Sequence, residues 1–126
     1  MAQGSGRLIV VDAANVVGSR PDGWWRDRAG AARRLLERLT VLDTAAEVVV
    51  VLEGAAKAAV AEAPQFDGIR VVSADGSGDD AIVDVVAAAV DRSVTVVTAD
   101  RGLRARVQAL GADTVGPRWL IERIES

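Results

Sequence analysis

The sequence contains no cysteine and no histidine. Without cysteine there is no disulfide, no thiolate nucleophile and no sulfur-ligated zinc. Without histidine the commonest zinc ligand and the commonest general base are gone as well. Any chemistry this chain performs must therefore run on carboxylates. Aromatic residues make up only 3% of the chain, with no tyrosine, so packing falls to aliphatic layers. Long apolar runs are also lacking. No stretch approaches the roughly 20 apolar residues of a membrane span, and Leu8 to Val11 is too short for the core of a signal peptide. A cytoplasmic protein with no membrane partner is expected.

What is present is a chain of 126 residues, half of them hydrophobic, with no break in composition. That is the size of one domain with a real core. Residues 1–6 (MAQGSG) have no apolar periodicity and are expected to be a flexible N-terminus; residues 7–126 form the domain. The net charge of -3 argues against a protein that grips nucleic acid through overall positive charge, although it leaves room for a local basic rim. All but one of the fifteen basic residues are arginine. Arginine suits phosphate recognition, but it also accumulates in Ala- and Val-rich chains from GC-rich genomes.

The apolar pattern alternates between two periods. RLIVVD at 7–12, EVVVVLEG at 47–54, IRVV at 69–72, SVTVVTAD at 93–100 and a short DTV at 113–115 are continuous β-branched runs of the buried-strand type. Between them, helical spacing predicts a helix from Trp24 to about Leu42, one over the Ala-rich AAKAAVAEA ended by Pro64, and one along DDAIVDVVAAAVDR at 79–92. A fourth follows in RGLRARVQALG, closed by Gly111, and a last in PRWLIERIE, opened by Pro117. Ala13 to Gly23, rich in Gly, Asn, Asp and Pro, is expected as a loop. Strands alternating with helices imply right-handed crossovers and a mainly parallel sheet covered on both faces, a three-layer α/β/α sandwich. In such sheets ligands sit beyond the carboxyl ends of the strands, where the strand order reverses.

Acids stand at those ends: Asp12 after the first strand, Glu53 after the second and Asp100 after the fourth. Asp79 and Asp80 open the helix that leads into the fourth strand, at the same edge. Carboxylates brought together repel one another unless a cation neutralises them. Oxygen ligands without nitrogen or sulfur favour Mg2+ or Mn2+, and such ions allow phosphodiester hydrolysis without histidine. Each residue also has an ordinary structural account. Asp79 and Asp100 fit helix N-caps, Asp80 a charge on a helix dipole, and Asp12 a turn former. Glu53 fits a solvated turn, and Asp84 an exposed helical position.

Four pieces in order resemble the NYN domain branch of the PIN-like ribonuclease superfamily: VVDAANVVG with its D-x-x-N, VVVVLEG, GDDAI, and VVTADRGLRARV. Together they span most of the chain. The resemblance implies a five-stranded sheet of order 3-2-1-4-5 and a metal-dependent endoribonuclease acting on RNA. It makes Asp12, Asp79, Asp80 and Asp100 metal ligands or metal-water partners, and makes Asn15 the amide that orients a ligand, water or neighbouring carboxylate. Glu53, and further out Asp84, are additional candidates; Glu53 stands where the family more often has Asp. Beyond the metal site, the loop GSRPDGWW offers Arg20 and Trp24 as substrate contacts, and Arg101 offers a third. A tryptophan there fits stacking on a base or anchoring of the helix start, and most of the arginines fit solvated helix faces as well.

Two other functions fit the same residues. One is a non-catalytic PIN-like module that binds RNA or a protein. The other is a different metal-dependent phosphoryl hydrolase, such as a DNA nuclease, although the first strand lacks a D-x-D and no G-x-x-x-x-G-K-[ST] loop is present. A homodimer is left open.

Overall fold

In the computed structural model, residues 7–19, 23–40, 46–54, 56–57, 69–89 and 91–124 are described, Trp24 by its backbone only. Five strands, β1 (Arg7–Asp12), β2 (Glu47–Leu52), β3 (Ile69–Ser73), β4 (Ser93–Val97) and β5 (Asp113–Val115), form one sheet of order β3-β2-β1-β4-β5. Every pairing is parallel. The expected strand order and layering are therefore those of the structure. The order reverses between β1 and β4, which lie side by side with Val11 level with Val97.

Strand alternation sorts the aliphatic residues into two cores. Ile9 and Val11, with Val48, Val50 and Leu52, pack on one face; Leu8 and Val10, with Val49, Val51, Val94 and Val96, pack on the other. The first face is covered by α1 (Ala13–Gly18), α2 (Arg28–Leu39) and α5 (Pro117–Ile124), through Val16, Leu35, Leu36, Leu120 and Ile124. The second is covered by α3 (Gly78–Ala88) and α4 (Arg101–Gln108), through Ile82, Val86, Leu103 and Val107. Because both faces are covered, β1, β2 and β4 are apolar nearly throughout, which is why their sequences run continuously rather than alternately hydrophobic. Among the described residues no helix is long and apolar enough to cross a membrane.

The elements differ from expectation at their ends. The segment after Asp12 is not a loop from its start: Ala13–Gly18 is helical, with Asp12 as its N-cap. Two valines and an asparagine are weak helix formers, so local propensity does not announce this turn. It forms because the Asp12 carboxylate accepts an N–H and because Val16 and Val17 are buried against α2 and α5. The tryptophans likewise precede the next helix instead of opening it. Trp24–Arg26 is a 3-10 turn, and α2 begins at Arg28, capped by the Asp27 carboxylate on Gly30 N–H. The helix α3 ends at Ala88, four residues short of expectation. The Ala-rich helix expected over 55–63 and the flexible terminus 1–6 fall outside the described residues, apart from Ala56 and Lys57.

Candidate functional site

Alternation along the strands decides which acids meet. Asp12 continues the Leu8, Val10 series onto the α3 and α4 side of the sheet. Glu53 follows Val49 and Val51 towards the same side, and Thr98 follows Val94 and Val96. Three positions at or just past the ends of three strands thus face the N-terminal ends of α3 and α4.

Asp12 is 7% exposed. Its Oδ1 accepts the Asn15 backbone N–H at 3.3 Å, and its Oδ2 accepts the hydroxyl of the fully buried Thr98 at 2.9 Å. The Thr98 hydroxyl in turn accepts the Asp100 N–H at 3.1 Å, joining two of the acids through one oxygen. Asp100 caps α4, its Oδ1 accepting Leu103 N–H at 2.9 Å. Glu53 reaches the start of α3, where its Oε2 accepts Gly78 N–H at 3.2 Å. Glycine at 78 leaves room for this approach: a Cβ there falls 2.6 Å from Glu53 Oε1, so the carboxylate end would have to shift. Asp79 is in the first turn of α3. The N-cap is Ser77, whose hydroxyl accepts the N–H groups of Asp79 and Asp80. Asp79 therefore does not cap, and among the described residues its carboxylate makes no hydrogen bond.

The acids feel one another. Asp12 has its pKa raised above the ordinary 3.8, first by burial and then by the charges of Asp79 and Glu53, while the bonds from Thr98 and Asn15 pull the other way. Asp79 is also raised, by burial first, then by Asp100 and Glu53, with Arg106 opposing and Asp80 adding a smaller push upward. Asp12, Glu53, Asp79 and Asp100 are thus one electrostatic group at the edge where the strand order reverses.

The remaining candidates lie differently. Asp80 pairs with Arg106 on α4, Oδ1 to Nη2 at 2.9 Å, in an exposed pair, and acts on Asp79 but is not among the charges acting on Asp12. Asp84 is exposed on α3 and is not among the charges acting on Asp12 or Asp79. The Asn15 side-chain Oδ1 accepts the Ala99 N–H at 2.8 Å, so it ties α1 to the turn after β4, and among the described residues its side-chain amide makes no bond to a carboxylate. Arg101 is exposed at the start of α4. Arg20 and the Trp24 side chain lie outside the described residues; neighbouring Trp25 is 56% exposed, with the Arg26 guanidinium 5.9 Å from its ring centre. Sequence reasoning passed over Thr98 and Gly78. The inward place of Thr98 in the 94, 96, 98 series is a readable signal, whereas the room that glycine leaves at 78 appears only in three dimensions.

Among the described residues no three acids are arranged to hold one metal ion. Physically, the acids repel, and Asp12, Glu53 and Asp100 each have an oxygen drawn to a backbone N–H. A carboxylate still has lone pairs left after one such bond. The donor set is oxygen only and carries excess negative charge. It fits a hard divalent ion of the Mg2+ type, which keeps several waters and takes only one or two carboxylates from the protein.

No family model matches the chain, and no curated protein matches it. Solved structures do. The crystal structure of Rae1 (YacP) from Bacillus subtilis superposes with a TM-score of 0.80 at 18% identity, covering 94% of this chain and 73% of that one. A single-substitution mutant of Rae1 gives 0.76 at 19% identity, covering 94% and 75%. The chain therefore shares the fold of Rae1, a five-stranded parallel sheet of order 3-2-1-4-5 between two helical layers.

Proposed function

We propose that this chain is a divalent-metal-dependent endoribonuclease of the NYN type. The observation that carries the reading is the placement of Asp12: buried at the reversal of strand order, fixed from two sides by Asn15 N–H and Thr98, and in electrostatic contact with Asp79 and Glu53. An acid so placed costs stability unless a cation balances it. The order of motifs along the chain and the fold shared with Rae1 support the same reading.

Asp12, Asp79 and Asp100 are the residues assigned to hold Mg2+ or Mn2+, with Glu53 as a fourth acid and Asp80 held back by Arg106. A bound ion of this kind polarises a phosphodiester and lowers the pKa of a bound water. The chain contributes the rest. Asn15 and Thr98 hold the Asp12 carboxylate in one orientation, and Gly78 N–H holds Glu53. Asp79, whose carboxylate makes no hydrogen bond among the described residues, keeps its oxygens available to the ion or to one of its waters.

The test is cleavage of labelled single-stranded RNA, single-stranded DNA and a small phosphate ester side by side, with Mg2+ or Mn2+. RNA alone is expected to be cut, and Asp12→Asn and Asp100→Asn are expected to abolish cutting. A metal titration supplies an independent readout. At ten times its dissociation constant an ion adds about 1.4 kcal/mol, or roughly 4–6 °C in a domain of this size. That shift is expected to vanish in Asp12→Asn. Cutting that persists in both variants removes the enzyme reading.

Two observations favour a second reading, a non-catalytic RNA- or protein-binding module: no three acids are in ligating arrangement among the described residues, and Asp80 pairs with Arg106. RNA binding with no cutting and no metal-induced shift selects it.

A further inference from the structure

Two cavities adjoin on the face of the sheet covered by α1, α2 and α5. The first, about 300 Å3, opens beside Glu53 at the carboxylate edge and is lined by Ala13, Ala14, Val17, Arg28 and Ala32. The second, about 100 Å3, lies between α2 and α5 and is lined by Val16, Val17, Arg34, Arg38, Ile121 and Ile124. Val17 lines both, so the two lie on either side of this one residue, the first beside Glu53 and the second further along α2. Among the described lining residues every cation is an arginine of α2.

We propose that this groove is the track of a single-stranded RNA backbone leaving the carboxylate edge, with Arg28, Arg34 and Arg38 as its phosphate contacts. The inference rests on the ribonuclease reading and extends it to how the strand is held. Charge supports it: α2 carries four arginines against one glutamate in a chain whose net charge is -3. Arg34 and Arg38 are one helical turn apart, where like charges weaken a helix. Among the described residues neither side chain has a hydrogen bond or ion pair. A phosphate chain removes that repulsion, and guanidinium matches phosphate with paired N–H donors. From Arg28 to Arg38 the helix rises about 15 Å, enough for a few nucleotides. Among the described residues the groove walls are mostly aliphatic and offer no aromatic platform, so the contact reads the backbone without selecting bases.

The experiment measures binding of a fluorescein-labelled 12-nucleotide RNA, and its DNA counterpart, by anisotropy between 50 and 200 mM KCl in metal-free buffer, alongside cutting in Mn2+. The test variant is Arg34→Ala/Arg38→Ala, exposed positions on a helix that tolerates alanine. The control is Arg7→Ala/Arg70→Ala, which removes the same charge near the amino ends of β1 and β3. Losing two phosphate contacts lowers the salt slope by about 1.4, so the affinity gap to wild type closes by about sevenfold over that salt range. The control is expected to keep the wild-type slope. An unchanged slope in the test variant overturns the track, as does an equal loss in the control or a loss confined to DNA. If wild type cuts no RNA yet binding still depends on the arginine pair, the ribonuclease reading fails and the track stands. If wild type cuts and the variant binds RNA unchanged, the track fails alone.

Discussion

Gly78→Ala tests whether a missing side chain organises the site. The added Cβ falls 2.6 Å from Glu53 Oε1 and 2.9 Å from Cδ, so the carboxylate must swing away. What is lost is the Gly78 N–H bond to Glu53, a bond to a charged acceptor that contributes roughly 1.5–3 kcal/mol. What is gained is the helix preference of alanine over glycine, up to about 1 kcal/mol. The net expected destabilisation is about 0.5–2 kcal/mol. A double-mutant cycle in urea separates the terms. In a Glu53→Ala background there is no carboxylate to displace, so Gly78→Ala is expected to be neutral or to stabilise by up to about 1 kcal/mol. The coupling should equal the lost bond, about 1.5–3 kcal/mol. In the same variant the metal-induced thermal shift should shrink, because one negative charge has left the edge. If the glycine substitution costs the same in both backgrounds, within about 0.5 kcal/mol, the pairing of Glu53 with the start of α3 is wrong.

Thr98→Val leaves Asp12 Oδ2 buried without its donor and should cost about 1–3 kcal/mol in urea unfolding, with Thr98→Ser recovering most of it. If the valine variant unfolds like wild type, the hydroxyl bridge between Asp12 and Asp100 does not exist in solution. The acid cluster also sets a pH dependence. Asp12 and Asp79 have folded-state pKa values above the unfolded ones, so their charged forms are penalised by folding. Their cost is absent below the ordinary aspartate value and fully present once pH has risen through the raised values. In metal-free buffer, wild type should therefore lose stability relative to Asp12→Asn/Asp79→Asn as pH climbs from about 3.5 to 7; parallel profiles for the two proteins would contradict the raised values.

The sheet was legible because buried parallel strands write themselves as uninterrupted Val, Ile and Leu runs, and because Gly54 and Gly111 close elements where the backbone takes positive φ. The strand order came through the resemblance, not the periodicity. Helix boundaries were less readable, since they are set by which side chain happens to cap. Ser77 takes the role that Asp79 was expected to have, and Asp27 starts α2 after the tryptophans. The candidate acids were readable from strand ends, yet their relative standing was not. Asp80 depends on Arg106, twenty-six positions away, and Glu53 gains weight only through Gly78, twenty-five positions away. Neither relation leaves a local mark in sequence.

The ordinary and the functional accounts of these acids turn out to describe one arrangement. Asp12 and Asp100 cap α1 and α4, and Glu53 receives the first N–H of α3. Three helix starts are therefore gathered at the edge where the strand order reverses, each presenting N–H groups and the positive end of its dipole. Four carboxylates in so small a region would drive one another to protonation or drive the elements apart if nothing opposed them. The helix starts supply that opposition with one oxygen of each of three acids, which leaves lone pairs for a further ligand. Capping thus helps an acid cluster to persist in a folded chain without a bound cation, and Asp79, which no N–H tethers among the described residues, has its proton affinity raised by burial first and then by Asp100 and Glu53. If the metal reading is right, Asp79→Asn should remove more of the metal response than stability, whereas Thr98→Val should do the reverse. That contrast separates an acid kept for binding from a hydroxyl kept for position.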